Sequence, residues 1–101
     1  MLTLNLRGTP LTSLPVEIGN LAALQTLKLG GTQLTFLPPG IGNLTALLSL
    51  DLSRNIALTF LPAELGNLAA LKTLVLLGYV GELPLPAELL KLKETGLRIR
   101  M

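Results

Sequence analysis

Apolar residues recur along the chain with a period of 23 or 24 residues. Within each period they first alternate with other residues, as LxxLxL, and then return at wider spacing before a Leu-Pro pair. The alternation is typical of a short β-strand that buries one face. Self-similarity at a fixed period of this length predicts a stacked array of coils rather than a closed globule. The units start at residues 1, 24, 47 and 71.

The alternating segments predict five short strands, one in each full unit and one at the end of the chain. In the second unit we expect Leu27 and Leu29 to point inward and Lys28 to point outward. Stacking would place such strands side by side as a parallel sheet, about 4.8 Å apart. The strands are predicted near residues 3–6, 26–29, 49–52, 73–76 and 97–99.

After each strand the chain reads LPxxIGNL or a variant of it. The proline cannot donate to a β-ladder, so it marks the end of the strand side. A short helical turn should follow, and we expect it to bury the third residue after each proline: Ile18, Ile41, Leu65 and Leu89. The Gly-Asn pair that comes next should turn the corner into the following coil, because glycine tolerates a positive φ.

Three departures interrupt the repeat. The polar residue that closes each strand is Thr9, Thr32, Asn55 and then Tyr79. Asparagine offers both a donor and an acceptor to neighbouring backbone, whereas a threonine hydroxyl offers less. Tyr79 does not fit that role, so we expect the fourth turn to be built differently. The third unit also holds one extra residue near Ile56, and the fourth has Leu-Lys where the others have Gly-Asn.

The frame LxxLxLxx(T/N)xLxxLPxxIGNLxxL resembles the leucine-rich repeat signature over residues 1 to about 92. The segments PVEIGNLAAL, PPGIGNLTAL and PAELGNLAAL are similar to the intracellular, scaffold-type repeats of the Ras-suppressor kind, which also occur beside GTPase domains in Roco proteins. The resemblance implies one leucine-rich repeat domain over residues 1–101. It implies an α/β solenoid: a right-handed array with a parallel sheet on its concave face and short helical turns on its convex face. It does not identify a partner, because this repeat serves many unrelated interactions.

Composition supports this fold and narrows the function. Half the residues are hydrophobic and 14% are charged, which a solenoid can accommodate because each coil covers the next. A net charge of +2 does not indicate nucleic-acid binding. The chain has no cysteine and no signal-peptide pattern, and its most apolar run, residues 73–81, is shorter than the ~20 residues of a membrane helix. We therefore expect a cytoplasmic protein that binds neither nucleic acid nor membrane.

No residue pattern indicates chemistry. The chain has no histidine and no cysteine, so the usual metal ligands and the common catalytic bases and thiols are missing. Gly30-Gly31 follows a strand but lacks the lysine and further glycines of a phosphate loop. We expect no enzyme activity, no cofactor and no metal. Asn43 begins a glycosylation sequon, which we interpret as a product of the repeat rather than a glycan site.

Outward strand positions are the candidates for binding, and the repeat predicts that they form columns across the sheet, one of which holds Asn5, Lys28, Asp51, Val75 and Arg98. Two of these outward residues, Val75 and Leu77 in the fourth unit, are apolar. An apolar patch bordered by polar residues often marks a contact surface. An alternative interpretation is that the irregular segment 78–84 folds over these two residues. Phe36 and Phe60 occupy another repeated position and are expected to stack. The predicted partner-binding residues lie in the C-terminal half of the concave face: Asp51, Arg54, Val75, Leu77, Arg98 and Arg100.

Three functions are compatible with such an array. The first is a protein-interaction module that binds through its concave face. The second is a non-catalytic segment of a larger GTPase- or kinase-type enzyme or regulator. The third is a binder of a lattice such as ice through its threonine columns, which is disfavoured because charges interrupt the neighbouring column. Nothing precedes the first coil to cover Leu4, Leu6 and Leu11, so self-association through that coil is also expected.

Overall fold

The computed structural model describes residues 2–79 and 83–101, and its five strands form one parallel sheet. The sheet order follows the chain, β1-β2-β3-β4-β5. The predicted first residue of the array, Met1, and the residues Val80 to Glu82 lie outside the described part. The strands are β1 (Leu2–Asn5), β2 (Leu24–Lys28), β3 (Ser49–Asp51), β4 (Thr73–Val75) and β5 (Arg98–Arg100).

The five predicted strands are confirmed, and their bounds differ by one or two residues. β1 and β2 begin earlier than predicted, and β3 ends at Asp51 rather than at residue 52. The Leu52 N–H still donates to the Val75 carbonyl at 2.9 Å, but the chain then turns through Ser53. The strand therefore ends where the turn begins, and not at the last residue of the apolar alternation.

Short helical turns return the chain from one strand to the next, as predicted. Each turn follows a proline in extended conformation, and each buries the predicted apolar residue: Ile18, Ile41, Leu65 and Leu89. The fourth unit differs because an α-helix runs directly into a further helical turn. The 3-10 helices are Val16–Asn20, Pro39–Asn43, Ala63–Asn67 and Lys91–Thr95, and the α-helix, α1, is Ala87–Leu90.

The core is a continuous stack of leucines between the sheet and the helical turns. Leu27, Leu50 and Leu74 are register partners on adjacent strands and are completely buried. At the N-terminal end Leu4 and its neighbours in the first coil are partly buried against this core. Each inward leucine of the middle coils is thus covered by the coils on either side, which is the packing of a solenoid.

At the Gly-Asn corners, the structure contradicts the expectation that glycine is needed for a positive φ. Their glycines are not among those with positive φ, so the reason first given for glycine is wrong. A Cβ at Gly19 would lie 2.5 Å from the Gly40 carbonyl oxygen, and one at Gly42 would lie 2.6 Å from the Glu64 carbonyl oxygen. Glycine is required because the helical turn of the next coil packs directly on it. Leu90 holds the same position in the fourth unit and is 40% exposed, so it meets no such constraint.

Candidate protein-interaction site

Outward side chains form columns across the sheet, one residue from each strand. Lys28, Asp51 and Val75 are direct register partners, as the repeat predicted. The fifth strand is shifted: Arg100, not Arg98, pairs with Val75, and Arg98 pairs with Thr73. The predicted columns were therefore wrong by two residues at β5. The cause is the longer return of the fourth unit, where α1 is followed by a second helical turn.

A depression of about 490 Å³ lies on the outward face of the sheet. It brings together four of the six predicted binding residues: Asp51, Arg54, Val75 and Leu77. Arg98 and Arg100 are exposed on β5 but do not line it. The rest of the lining comes from the first three coils and was not among the predicted binding residues: Arg7, Gly8, Gly30, Gly31 and Ser53.

Two hydrogen bonds, one within the third turn and one between the third and fourth turns, position part of the lining of the depression. The Asp51 Oδ1 atom accepts the Ser53 N–H at 2.9 Å, and the Ser53 Oγ atom accepts the Leu77 N–H at 3.1 Å. Leu77 is 41% exposed and Val75 is partly buried beside it. Leu77 is therefore open to solvent in the described part of the chain. The alternative that segment 78–84 folds over it falls partly on residues 80–82, which lie outside the described residues.

Arg54 has an unusual backbone conformation. Its φ is 60°, and it is the one non-glycine residue with positive φ in residues 2–79 and 83–101. The equivalent positions of the other coils are Gly8, Gly31 and Gly78, with φ of 73°, 69° and 85°. A Cβ at Gly78 would lie 2.6 Å from the Arg54 Cγ atom, so the arginine stem crosses that glycine. The glycine column was visible in the sequence, but its conformation was not inferred from it.

A buried polar ladder supports the turns beneath this surface. Asn55 is completely buried, and its Nδ2 atom donates to the Leu29 and Leu52 carbonyls at 2.9 and 2.8 Å. Its Oδ1 atom accepts from both the N–H and the hydroxyl of Thr32. One amide therefore joins the second and third coils, with no side-chain polar atom left unpaired in the described core.

Tyr79 takes part in the same ladder, contrary to expectation. Its hydroxyl donates to the Leu52 carbonyl at 2.7 Å, which is the bond to the preceding coil that Asn55 makes to Leu29. Burial raises the pKa of the Tyr79 hydroxyl, with a smaller contribution from the charge of Asp51. A phenol can replace the amide here because its length lets the hydroxyl reach the carbonyl from further along the chain.

The other predicted features are distributed over the surface. Phe36 and Phe60 are 42% and 49% exposed, and their stacking stays a prediction. Asn43 is exposed at the end of its 3-10 helix. Within the described ranges, no cluster of three or more acidic, histidine or cysteine side chains could hold a metal ion. No helix of the described chain is both long and apolar enough to cross a membrane.

Register-paired strands joined by helical turns over a leucine stack define a solenoid repeat protein. The family model for a leucine-rich repeat region matches residues 2–99, and the chain belongs to this family. The chain is similar to the structure of a leucine-rich repeat protein of Leptospira interrogans, with a TM-score of 0.86 and 42% identity. The match covers 98% of this chain and 24% of that one. No curated protein gave a significant match.

The present chain therefore spans about a quarter of the Leptospira protein's length, 24%. The Ras-suppressor-like subtype and the single domain over residues 1–101 stay predictions, because the family match does not distinguish them.

Proposed function

We propose that this chain is a non-catalytic protein-interaction module that binds a protein partner through the concave face of its sheet. The contact would centre on the depression described above, with Leu77 as its apolar anchor. The observation that carries the proposal is that four predicted binding residues from two coils line one depression. The fold and the family support an interaction role, and neither identifies the partner.

The anatomy of the depression favours a protein partner. Protein interfaces combine an apolar centre with a polar rim, and their hot spots are large residues that fill pockets. Leu77 and Val75 supply the centre, and Asp51 and Arg54 supply polar groups beside it. These side chains are held on paired strands and on turns fixed by hydrogen bonds, which is the rigid support that a recognition surface needs.

A second candidate is a non-catalytic segment of a larger signalling enzyme or regulator of the GTPase or kinase type. The observation in its favour is that the chain matches 24% of the Leptospira protein, so similar arrays exist within longer chains. Reading the coding sequence on both sides of these residues distinguishes the two, because an adjoining nucleotide-binding or kinase domain is required by the second alone.

We further propose that the protein works in the cytoplasm and binds neither nucleic acid nor membranes. Self-association through the first coil remains part of the proposal, because Leu2 is 53% exposed and Val16 67% exposed at that end. Sedimentation across a range of concentrations tests it. A monomer at every concentration would contradict self-association without affecting the interaction role.

The test of the concave face is affinity capture from an extract of the source cells, with matched variants. Leu77→Asp places a charge at the proposed centre, and Thr26→Asp makes the same change two strands away on the same face. Each variant is first checked for a parental circular dichroism spectrum. We expect Leu77→Asp to lose the captured partner and Thr26→Asp to retain it. Equal losses, or a loss with Thr26→Asp alone, would contradict the proposed centre.

A further inference from the structure

The turn of the second coil has an unsatisfied backbone donor. In the first and third coils a side-chain oxygen accepts the N–H two residues further on: Asn5 Oδ1 accepts from Arg7 at 3.1 Å, and Asp51 Oδ1 accepts from Ser53 at 2.9 Å. In the second coil the equivalent residue is Lys28, which carries no acceptor. The Gly30 N–H at this turn donates to no oxygen among the residues that the structure describes.

The preceding coil cannot replace the missing acceptor. In the fourth coil Val75 also lacks one, but there the Leu77 N–H reaches the Ser53 hydroxyl of the coil before it. The residue that precedes Gly30 in the same column is Arg7, and a guanidinium has no acceptor. Gly30 lines the depression, and no acceptor among the described residues occupies its N–H.

Charges of both signs surround this donor, and the Asp51 carboxylate oxygens lie 3.6 and 3.7 Å from the position that a Cβ on Gly30 would take. Arg7 and Arg54 line the depression from opposite sides of Gly30, and Lys28 lies on the strand that leads to it. Asp51 is the one acidic residue of the lining, and one of its oxygens already accepts the Ser53 N–H. A backbone N–H combined with guanidinium groups is a donor set that suits a carboxylate.

The conformation of Arg54 supports a binding role. Left-handed backbone is strained for an L-residue, and glycine avoids this strain at the three equivalent positions. Strained residues of this kind concentrate at functional sites. The Arg54 stem packs across Gly78, so its guanidinium is carried on a supported chain beside the apolar wall of the depression.

We propose that the depression binds an acidic, extended segment of the protein partner. One carboxylate of that segment accepts from the Gly30 N–H beside Arg7, and a second carboxylate accepts from the Arg54 guanidinium, whose stem lies against Gly78. The neighbouring side chain of the segment is apolar and packs on Val75 and Leu77. This inference rests on the proposed function and adds the chemical class of the partner. It follows from charge complementarity, because the lining holds two arginines and a free N–H against one partly engaged carboxylate.

The test uses the full chain labelled with nitrogen-15 and three capped pentapeptides. The acidic probe has the sequence AELEA, the neutral probe AQLQA and the basic probe AKLKA. Amide chemical shifts of Gly30 and Gly31 report binding at the depression directly. We expect saturable shifts of both amides with the acidic probe, and affinity weaker by roughly tenfold or more for the other two probes.

Two pairs of variants separate the proposed groups from general charge effects. Arg54→Gly installs the residue that the equivalent positions carry and removes the guanidinium, and Lys93→Ala removes one positive charge from the helical side. Lys28→Asn supplies the acceptor that Asn5 supplies in the first coil and so engages the Gly30 N–H, whereas Lys28→Met removes the same charge without an acceptor. Affinity for the acidic probe should fall at least several-fold more in Arg54→Gly and Lys28→Asn than in their partners.

The results also distinguish this inference from the proposed function. Equal affinity for all three probes, or a preference for the basic one, would overturn acidic recognition and still place binding on the sheet face. Equal effects within each pair of variants would likewise overturn the roles of Arg54 and the Gly30 N–H. Absence of shifts with any probe would overturn it as well. The proposed function would then be tested separately by the capture experiment with Leu77→Asp.

Discussion

The inward and outward faces of the same strands obey different rules. On the inward face Leu27, Leu50 and Leu74 repeat one residue type in register and are completely buried. One position further along each strand, Lys28, Asp51 and Val75 share no chemistry although they too are register partners. The inward side chains all have to fill the space between coils. The outward side chains have no such constraint, so they vary from coil to coil and distinguish this chain.

The inward face should show the largest effect of mutation. Leu50→Ala removes a completely buried side chain that is covered by coils on both sides, and should destabilise the protein by about 2–5 kcal/mol. Ser49→Ala, on the outward face of the same strand, should change stability by less than about 0.5 kcal/mol. Urea denaturation measures both. Similar transitions for Leu50→Ala and the parent would show that the two faces had been assigned wrongly.

The helical corners should be nearly as sensitive. Gly42→Ala places a Cβ 2.6 Å from the Glu64 carbonyl oxygen, and relieving this overlap should cost about 1–3 kcal/mol. Gly30→Ala is the matched control, because a Cβ there meets its nearest atom at 3.5 Å, an ordinary contact. Thermal denaturation that ranks Gly30→Ala as the more damaging change would refute close packing as the reason for glycine.

A substitution at Tyr79 tests how much its hydrogen bond to the preceding coil contributes to stability. Tyr79→Phe removes the bond to the Leu52 carbonyl, which Asn55 also serves, so the loss should be about 1 kcal/mol. Burial raises the pKa of Tyr79 above its ordinary 10.0, so the protonated hydroxyl stabilises the fold below pH 10.0. That stabilisation is lost as the pH rises through the raised pKa. Alkaline unfolding followed by circular dichroism should therefore be shallower in Tyr79→Phe, and identical slopes would contradict this account.

The smallest effect on stability is expected at Arg54. Arg54→Gly relieves the left-handed strain but adds the freedom of glycine to the unfolded chain, and the two effects should cancel to within about 1 kcal/mol. Urea denaturation measures the difference. A loss well above that value would mean that Arg54 is held for stability, and its conformation would no longer point to binding.

The sequence predicted what depends on spacing within one coil. Strand positions, inward leucines and the buried residue of each helical turn follow from the alternation and from the position of proline. It could not predict what depends on contact between coils, which lie 23 or 24 residues apart along the chain. The corner glycines are explained by the next coil's carbonyl oxygens, and the hydroxyl of Tyr79 by a carbonyl 27 residues away.

The candidate site was predicted in part for the same reason. Side chains with obvious chemistry, such as Asp51, Arg54 and Leu77, were found because they depart from the repeat. Three of the five other lining residues are glycines, which have no side chain that a search for large anchor residues could detect. The shift of β5 by two residues removed Arg98 from its expected column, because the length of the last return could not be inferred from earlier coils.

The close approach at the Gly-Asn corners also governs curvature. Hydrogen bonds fix the distance between strands on one side of the array, whereas on the other side the distance between helical turns is set by the size of a single residue. A bulkier residue at Gly42 or Gly66 would act as a wedge, spreading the helical side while the strands stayed paired. The sheet would then bend more tightly, and the mouth of the depression would narrow. The width of the depression thus depends on residues on the opposite side of the molecule.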